Sequence, residues 1–145
     1  MNEIKNKKFT FIDLFAGIGG FRLALEQLGG DCLFSSEIDE DCIKTYAVNF
    51  GEKPQGDITE IDPKLIPNHD ILCAGFPCQP FSISGKKKGF DDSRGILIFT
   101  ILKIIKVKKP KVFFLENVKH LKDHNGKKTL QSIIKNLEEL GYKVE

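Results

Sequence analysis

Cys78 sits between two prolines in the octet Gly75-Phe76-Pro77-Cys78-Gln79-Pro80-Phe81-Ser82. Pro77 and Pro80 fix φ and remove two backbone donors, and a residue before proline is biased away from helix. The backbone around this thiol is therefore expected to be stiff and non-repeating. A rigid loop that presents one thiol suits a nucleophile, because positioning is part of catalysis. The plain alternative is a cysteine packed as a small hydrophobe.

A second group of residues has the pattern of a nucleotide-like site. Ala16-Gly17-Ile18-Gly19-Gly20 comes after an apolar run and reads as a turn whose backbone a ligand can approach closely. Glu37 stands at the spacing, about 20 residues on, that suits an acid on two ribose hydroxyls. Asp57, after another turn, can accept from the exocyclic amine of adenine. Together these describe an adenosine site. Arg22 occupies the third position of G-x-G-x-x-G, which argues against a dinucleotide, and no lysine with serine or threonine completes a phosphate loop.

Glu116 ends another apolar run, where desolvation of a carboxyl is expected; an acid there can also simply bond local backbone. Asn117 beside it can fix the turn. His120 and His124 are four apart, but Leu121 stands where a zinc protease needs glutamate, so no metal is expected.

These residues need a scaffold. Residues 9–15 read as a buried strand, 21–28 as a helix, 32–36 as a second strand and 40–49 as a helix capped by Asp39. Residues 56–58 read as a turn and short third strand, and 70–75 as a fourth. Residues 76–95 are loop-like, and a loop of that length is uncommon without a function. The remaining elements are a helix over 95–106, a fifth strand over 111–117, a helix over 127–140 closing at Gly141 and the start of a strand at 142–144. Continuously apolar strands alternating with helices predict an α/β, doubly wound, mostly parallel sheet. In such sheets ligands bind beyond the carboxyl ends of the strands, and the glycine turn, Glu37, Asp57, Cys78 and Glu116 all fall at that edge.

The chain has 145 residues, enough for one domain with a core, and is 41% hydrophobic and 29% charged. No apolar run reaches the roughly 20 residues of a membrane span. The polar residues 1–8 lack the apolar stretch of a secretory signal. Four cysteines without a C-x-x-C pair fit a reducing, cytoplasmic setting. Net charge is +2, so any nucleic-acid contact must come from local clusters. Lys86-Lys87-Lys88 and the lysines from Lys103 to Lys111 are either a solvated face or a phosphate-contacting rim.

Asp13 to Gly20, Glu37, Gly56-Asp57-Ile58, Gly75 to Ser82 and Glu116-Asn117-Val118, in this order, resemble the motifs of the C5-cytosine DNA methyltransferases. The resemblance covers residues 9–145. It implies a Rossmann-like domain, incomplete at its C-terminus, that takes S-adenosyl-L-methionine. Phe15 would pack on adenosine, and Gly17, Ile18, Gly19 and Gly20 would border the methionine part. Glu37 would take the ribose, Ile38 would lie along adenine, Asp57 and Ile58 would read its edge, and Pro77 with Leu97 would complete the wall. Cys78 would add to cytosine C6 and Glu116 would protonate N3. Ser82, Ser84, Lys86, Lys87, Lys88 and Arg94 would close over the strand of double-stranded DNA carrying the flipped cytosine.

The family's recognition region, its arginine-bearing motif and its terminal helix are missing. The expectation is a truncated or split enzyme of a restriction–modification system, weakly active alone, with a complementary chain supplying recognition. An RNA cytosine methyltransferase and a non-catalytic adenosine-binding or interaction module are the alternatives.

Overall fold

The computed structural model describes residues 8–77, 96–123 and 127–145. Four parallel strands form one sheet in the order β2-β1-β3-β4: β1 (Phe9–Leu14), β2 (Gly30–Ser36), β3 (Ile71–Gly75) and β4 (Val112–Glu116). The helices are α1 (Gly20–Gln27), α2 (Glu40–Phe50), α3 (Ile96–Lys108) and α4 (Lys128–Glu139). The chain leaves β1 toward β2 and then returns to the other side for β3. The carboxyl ends of β1 and β3 are therefore a topological switch point.

Alternation along the strands separates two faces. Ile12, Leu14, Leu72 and Ala74 face one way and pack with Ile98, Ile101, Ile104 and Ile105 of α3 and Ile133 and Leu137 of α4. α3 is apolar around most of its circumference because it lies between the sheet and α4. The opposite parity, Phe11, Asp13 and Cys73, faces α1 and α2 and is fully buried. That side carries polar groups, including Arg22 and the completely buried Tyr46.

Local chemistry sets the element ends. Asp39 caps α2 by accepting from the N–H of Asp41 and Cys42, and Gly51 closes it at φ 74°. Gly141 ends α4 at φ 93°. Asp70 ties the amino-terminal ends of three strands together. Its side chain accepts from Thr10 N–H at 2.8 Å, Thr10 Oγ1 at 3.0 Å and Lys111 Nζ at 2.8 Å.

The sheet differs from the sequence expectation in two places. Residues 56–58 form no strand: Gln55 makes a single bridge to Ser36, and Asp57 caps a 3-10 turn, Ile58–Glu60. The Asp57 side chain captures the Thr59 N–H, which turns the chain instead of extending it. Residues 142–145 are also not a strand. Tyr142 packs edge-on against Phe113 and donates its hydroxyl to Pro110 O at 2.7 Å, which holds the segment against the core. The later lysines are not a rim beside the carboxyl edge. Lys106, Lys108 and Lys111 lie where α3 ends and β4 begins, with Lys108 bonded to Lys64 O and Lys111 to Asp70.

The Asp70 cluster gives a pH prediction. The hydrogen bond from Lys111, then those from Thr10, lower the Asp70 pKa from 3.8 to about 2. A carboxyl depressed on folding stabilises fully above its unfolded pKa and loses that contribution as pH falls toward its folded one. Asp70→Asn is therefore expected to lower the thermal midpoint at pH 7. The gap from the parent chain should narrow as pH falls from about 4 to 2. A gap unchanged across that window would remove the charge from the explanation.

Candidate functional site

A cleft of ≈ 370 Å³ opens at the switch point, lined by Phe15, Ser36, Glu37, Ile38, Gly56, Asp57, Ile58, Gly75, Pro77 and Leu97. Each wall comes from a different element. Phe15 comes just after β1, Ser36 to Ile38 end and extend β2, Gly75 and Pro77 end and extend β3, and Leu97 opens α3. Seven residues expected at an adenosine site meet here: Phe15, Glu37, Ile38, Asp57, Ile58, Pro77 and Leu97.

Gly17, Ile18, Gly19 and Gly20 do not line the cleft; they form the turn behind it. Gly17 and Gly19 have φ of 55° and 92°, the left-handed region in which glycine is unstrained. Glu37 connects this turn to the cleft. Its Oε2 accepts from Gly17 N–H at 2.7 Å, and its Oε1 accepts from Ile38 N–H at 2.7 Å and Asp39 N–H at 2.9 Å.

Phe15 also has a positive φ, 56°. For a bulky residue this is a strained conformation, and such strain collects at functional sites. The Ala16 N–H donating to Ser36 O at 2.9 Å helps hold it there.

Glu116 pairs in register with Gly75, and a Cβ at Gly75 would stand 3.4 Å from Glu116 Oε2. The carboxylate therefore lies over a cleft-lining residue that has no side chain. Glu116 is exposed rather than desolvated, because β4 lies at the end of the four-strand order and its alternate residues are open. Asn117 does more than fix its own turn: its Nδ2 donates to Phe76 O at 2.8 Å, two residues before Cys78. Cys78 itself, with Ser82, Ser84, Lys86, Lys87, Lys88 and Arg94, lies outside the described residues, as does His124. Among the described cysteines none suits a thiolate. Burial pushes Cys32 up to about 11 and Cys73 up to about 12, and Cys42 is also raised, first by desolvation and then by Asp39.

Sequence reasoning missed Ser36, whose hydroxyl is buried at the cleft with no hydrogen-bond partner among the described residues. Its signal was its place at the end of a strand, next to Glu37. Asp13 was singled out only as part of a motif. It is fully buried with neither oxygen in a hydrogen bond of normal geometry among the described residues. Burial pushes its carboxyl up to about 7, against the nearby Arg22 N–H and guanidinium charge. Among the described residues no cluster of three or more His, Cys, Asp or Glu has the makings of a metal site.

The family model for C-5 cytosine-specific DNA methylases matches residues 9–145. The chain belongs to this family. It is 58% identical to the type II methyltransferase M.HhaI of Haemophilus parahaemolyticus, over 98% of this chain and 44% of that protein. It is 60% identical to the type II methyltransferase M.HpaII of Haemophilus parainfluenzae, over 97% of this chain and 40% of that one. The chain thus spans about two fifths of the length of these methylases. Among solved structures, an Entamoeba histolytica methyltransferase superposes with a TM-score of 0.74 at 27% identity, covering 96% of this chain and 46% of that one. The S. pombe Dnmt2 methyltransferase shares the fold, with a TM-score of 0.71 at 22% identity over 89% of this chain and 42% of that one. The fold is that of these methyltransferases, a Rossmann-like parallel sheet with helices.

The Phe15 backbone yields a prediction free of any ligand. Phe15→Ala and Phe15→Gly delete the same ring contacts, but only glycine relieves the left-handed backbone. The glycine variant is expected to be more stable than the alanine variant by about 1 kcal/mol in urea unfolding. Equal stabilities would show that Phe15 is not strained.

Proposed function

We propose that this chain forms the cofactor-binding and catalytic part of an enzyme that methylates C5 of cytosine in DNA, with S-adenosyl-L-methionine as donor. One observation carries the reading. The two acids Glu37 and Asp57 meet the apolar Phe15, Ile38, Ile58, Pro77 and Leu97 in one cleft, and Glu116 stands across Gly75 from it.

The cleft fits the donor on its own chemistry. Phe15, Ile38 and Leu97 offer apolar surface to a purine. Glu37 has used three backbone donors out of about four acceptor positions, which leaves capacity for a ribose hydroxyl. Asp57 Oδ1 is held by Thr59, so its other oxygen is the one to meet the adenine amine. Gly17 to Gly20 stand outside this cleft, and they border the methionine end where the donor extends beyond it.

The donor supplies an electrophilic methyl on a sulfonium. The chain's own residues make cytosine C5 able to attack it. The Cys78 thiolate adds to C6, forming an S–C6 bond and pushing the C5–C6 π electrons into the ring. Glu116 gives a proton to N3, which neutralises the charge that addition builds there. Once C5 carries the methyl, the C5 proton leaves to solvent, the Cys78 thiolate is expelled to restore the C5–C6 double bond, and N3 returns its proton to Glu116. Pro77 lines the cleft and is covalently next to Cys78. Asn117 holds the Phe76 carbonyl, so the approach to Cys78 is tied to the strand that carries Glu116. Ser82, Ser84, Lys86, Lys87, Lys88 and Arg94 contact the phosphates around the flipped base. The names of the type II relatives favour a restriction–modification setting. DNA as acceptor puts the work in the cytoplasm, in keeping with the free Cys32, Cys42 and Cys73.

Recognition falls to a region corresponding to the other three fifths of the relatives, in the same protein or in a complementary chain. The open flank of β4 is its seat. Phe114 and Val118 are 48% and 55% exposed there, and Phe114 joins Phe113, Leu115, Leu121, Ile133 and Val144 in lining a groove of ≈ 410 Å³.

The test mixes the chain, a second chain bearing that remaining region, the donor and duplex DNA containing 5-fluorocytosine. A denaturation-resistant protein–DNA adduct is expected, lost in Cys78→Ser and reduced in Glu116→Gln. An adduct that survives Cys78→Ser sinks the mechanism, and structured RNA trapped in preference to DNA sinks the acceptor. Phe114→Glu, at a half-exposed position, is expected to cost the chain no more than about 1 kcal/mol of stability, yet abolish adduct formation with the second chain. Undiminished adduct in Phe114→Glu would move the docking seat elsewhere.

A further inference from the structure

Arg22 was notable in the sequence for what it is not, the third glycine of a dinucleotide turn. In the structure it is a hub, only 9% exposed. Its Nε donates to Glu26 at 2.8 Å, and its Nη1 donates to Tyr46 Oη at 3.0 Å and to Glu52. The guanidinium carbon stands 4.5 Å from the Phe50 ring centroid and 5.5 Å from that of Tyr46. Tyr46 and Phe50 are one helical turn apart on α2, with ring centroids 4.7 Å from each other. One side chain of α1 thus fixes both rings of the last turns of α2 and the acid just beyond it.

Those rings are also what the glycine turn rests on. A Cβ at Gly19 would lie 2.1 Å from Phe50 Cε2 and 3.2 Å from Tyr46 Cε2. The bare Cα of Gly19 is therefore seated directly against them. Asn49, on the same turn of α2, donates to Ile18 O at 3.2 Å. The turn then passes its position to the cleft through Gly17 N–H and Glu37.

We propose that Arg22 is a positioning residue that acts through Phe50, Tyr46 and Asn49 to set the glycine turn, and through Gly17 the carboxylate of Glu37. This rests on the reading of the cleft as an adenosine site, but Arg22 itself touches no ligand. Lysine cannot replace it. A single ammonium lacks the planar fork that bonds three acceptors while stacking on a ring.

The test has two arms on this 145-residue chain. In the first, amide exchange is measured at Gly17 and Gly19, whose N–H groups bond Glu37 and Ala16 O. Arg22→Lys, and separately Phe50→Leu, are expected to speed exchange at both while amides of β3 and β4 keep their rates. In the second, affinity for S-adenosylhomocysteine is measured by calorimetry. The same variants are expected to weaken it about tenfold, whereas Ile104→Val, fully buried on the other face, leaves it unchanged despite costing about 1 kcal/mol of stability. Exchange at Gly17 and Gly19 that is unaltered in Arg22→Lys, or that rises only in step with β3 and β4, overturns the proposal. Failure of the parent chain to bind S-adenosylhomocysteine even with the second chain that bears the remaining region overturns the adenosine reading instead, and the exchange arm still decides what Arg22 holds. Should Arg22→Lys fail to fold, Phe50→Leu and Asn49→Ala carry the same two readouts.

Discussion

The site depends on one carboxylate facing two directions. Glu37 takes Gly17 N–H on one oxygen and the N–H groups of Ile38 and Asp39 on the other. Charge-assisted bonds of this kind are about twice as strong as neutral ones. They join the turn after β1 to the end of β2, two segments that the sheet alone would only bring near each other. Removing the side chain would leave the Gly17 N–H without its partner and free the turn to move. A glutamate reaches this donor, and the left-handed glycine aims the donor at it.

The two faces of the sheet solve different problems. The face under α3 and α4 is almost wholly aliphatic, and burial there is non-directional. It supplies stability without specifying where any loop must lie. The face under α1 and α2 carries Arg22, Tyr46, Asp13 and the Cys32 and Cys73 thiols. Buried polar groups destabilise unless their geometry is right, so this face tolerates few arrangements. The glycine turn sits on the polar face, and that is where the cleft needs a fixed backbone. Asp13 fits the same logic, since burial holds its carboxyl up to about 7 and Arg22 is the main influence opposing that rise.

Much of this was legible from residue order. The runs around Ile12, Leu72 and Phe113 are strands because apolar and β-branched residues were continuous, and the cleft residues were found just past the carboxyl end of each run. Glu37 was named in this way and Asp57 from its place after a turn, while Phe15 and Leu97 came from the family resemblance; all four share one cleft. The failures have physical causes. Residues 56–58 looked extended, but Asp57 competes for the backbone of Thr59 and wins. Residues 142–144 looked like a strand, but the Tyr142 hydroxyl found Pro110 O. Arg22 read as an obstacle to one ligand class, because its three acceptors lie at Glu26, Tyr46 and Glu52 and the last two are distant in sequence. Glu116 was expected to be desolvated because its strand is apolar; an outer strand with alternate residues open does not desolvate its ends.

The position of Glu116 is set by register. β3 and β4 are parallel, with Gly75 opposite Glu116. A slip of one residue would turn Glu116 to the other face and put Leu115 or Asn117 opposite Gly75. A Cβ at 75 would stand 3.4 Å from the carboxylate, an ordinary contact, so the register rather than the glycine sets where the acid lies. The pairing is held at the far end by Asp70, whose carbonyl accepts from Lys111 and Val112 N–H while its side chain bonds Thr10. At the near end Asn117 bonds the Phe76 carbonyl. Clamped at both ends, β3 and β4 cannot slide, and the acid keeps its place over Gly75 at the rim of the cleft.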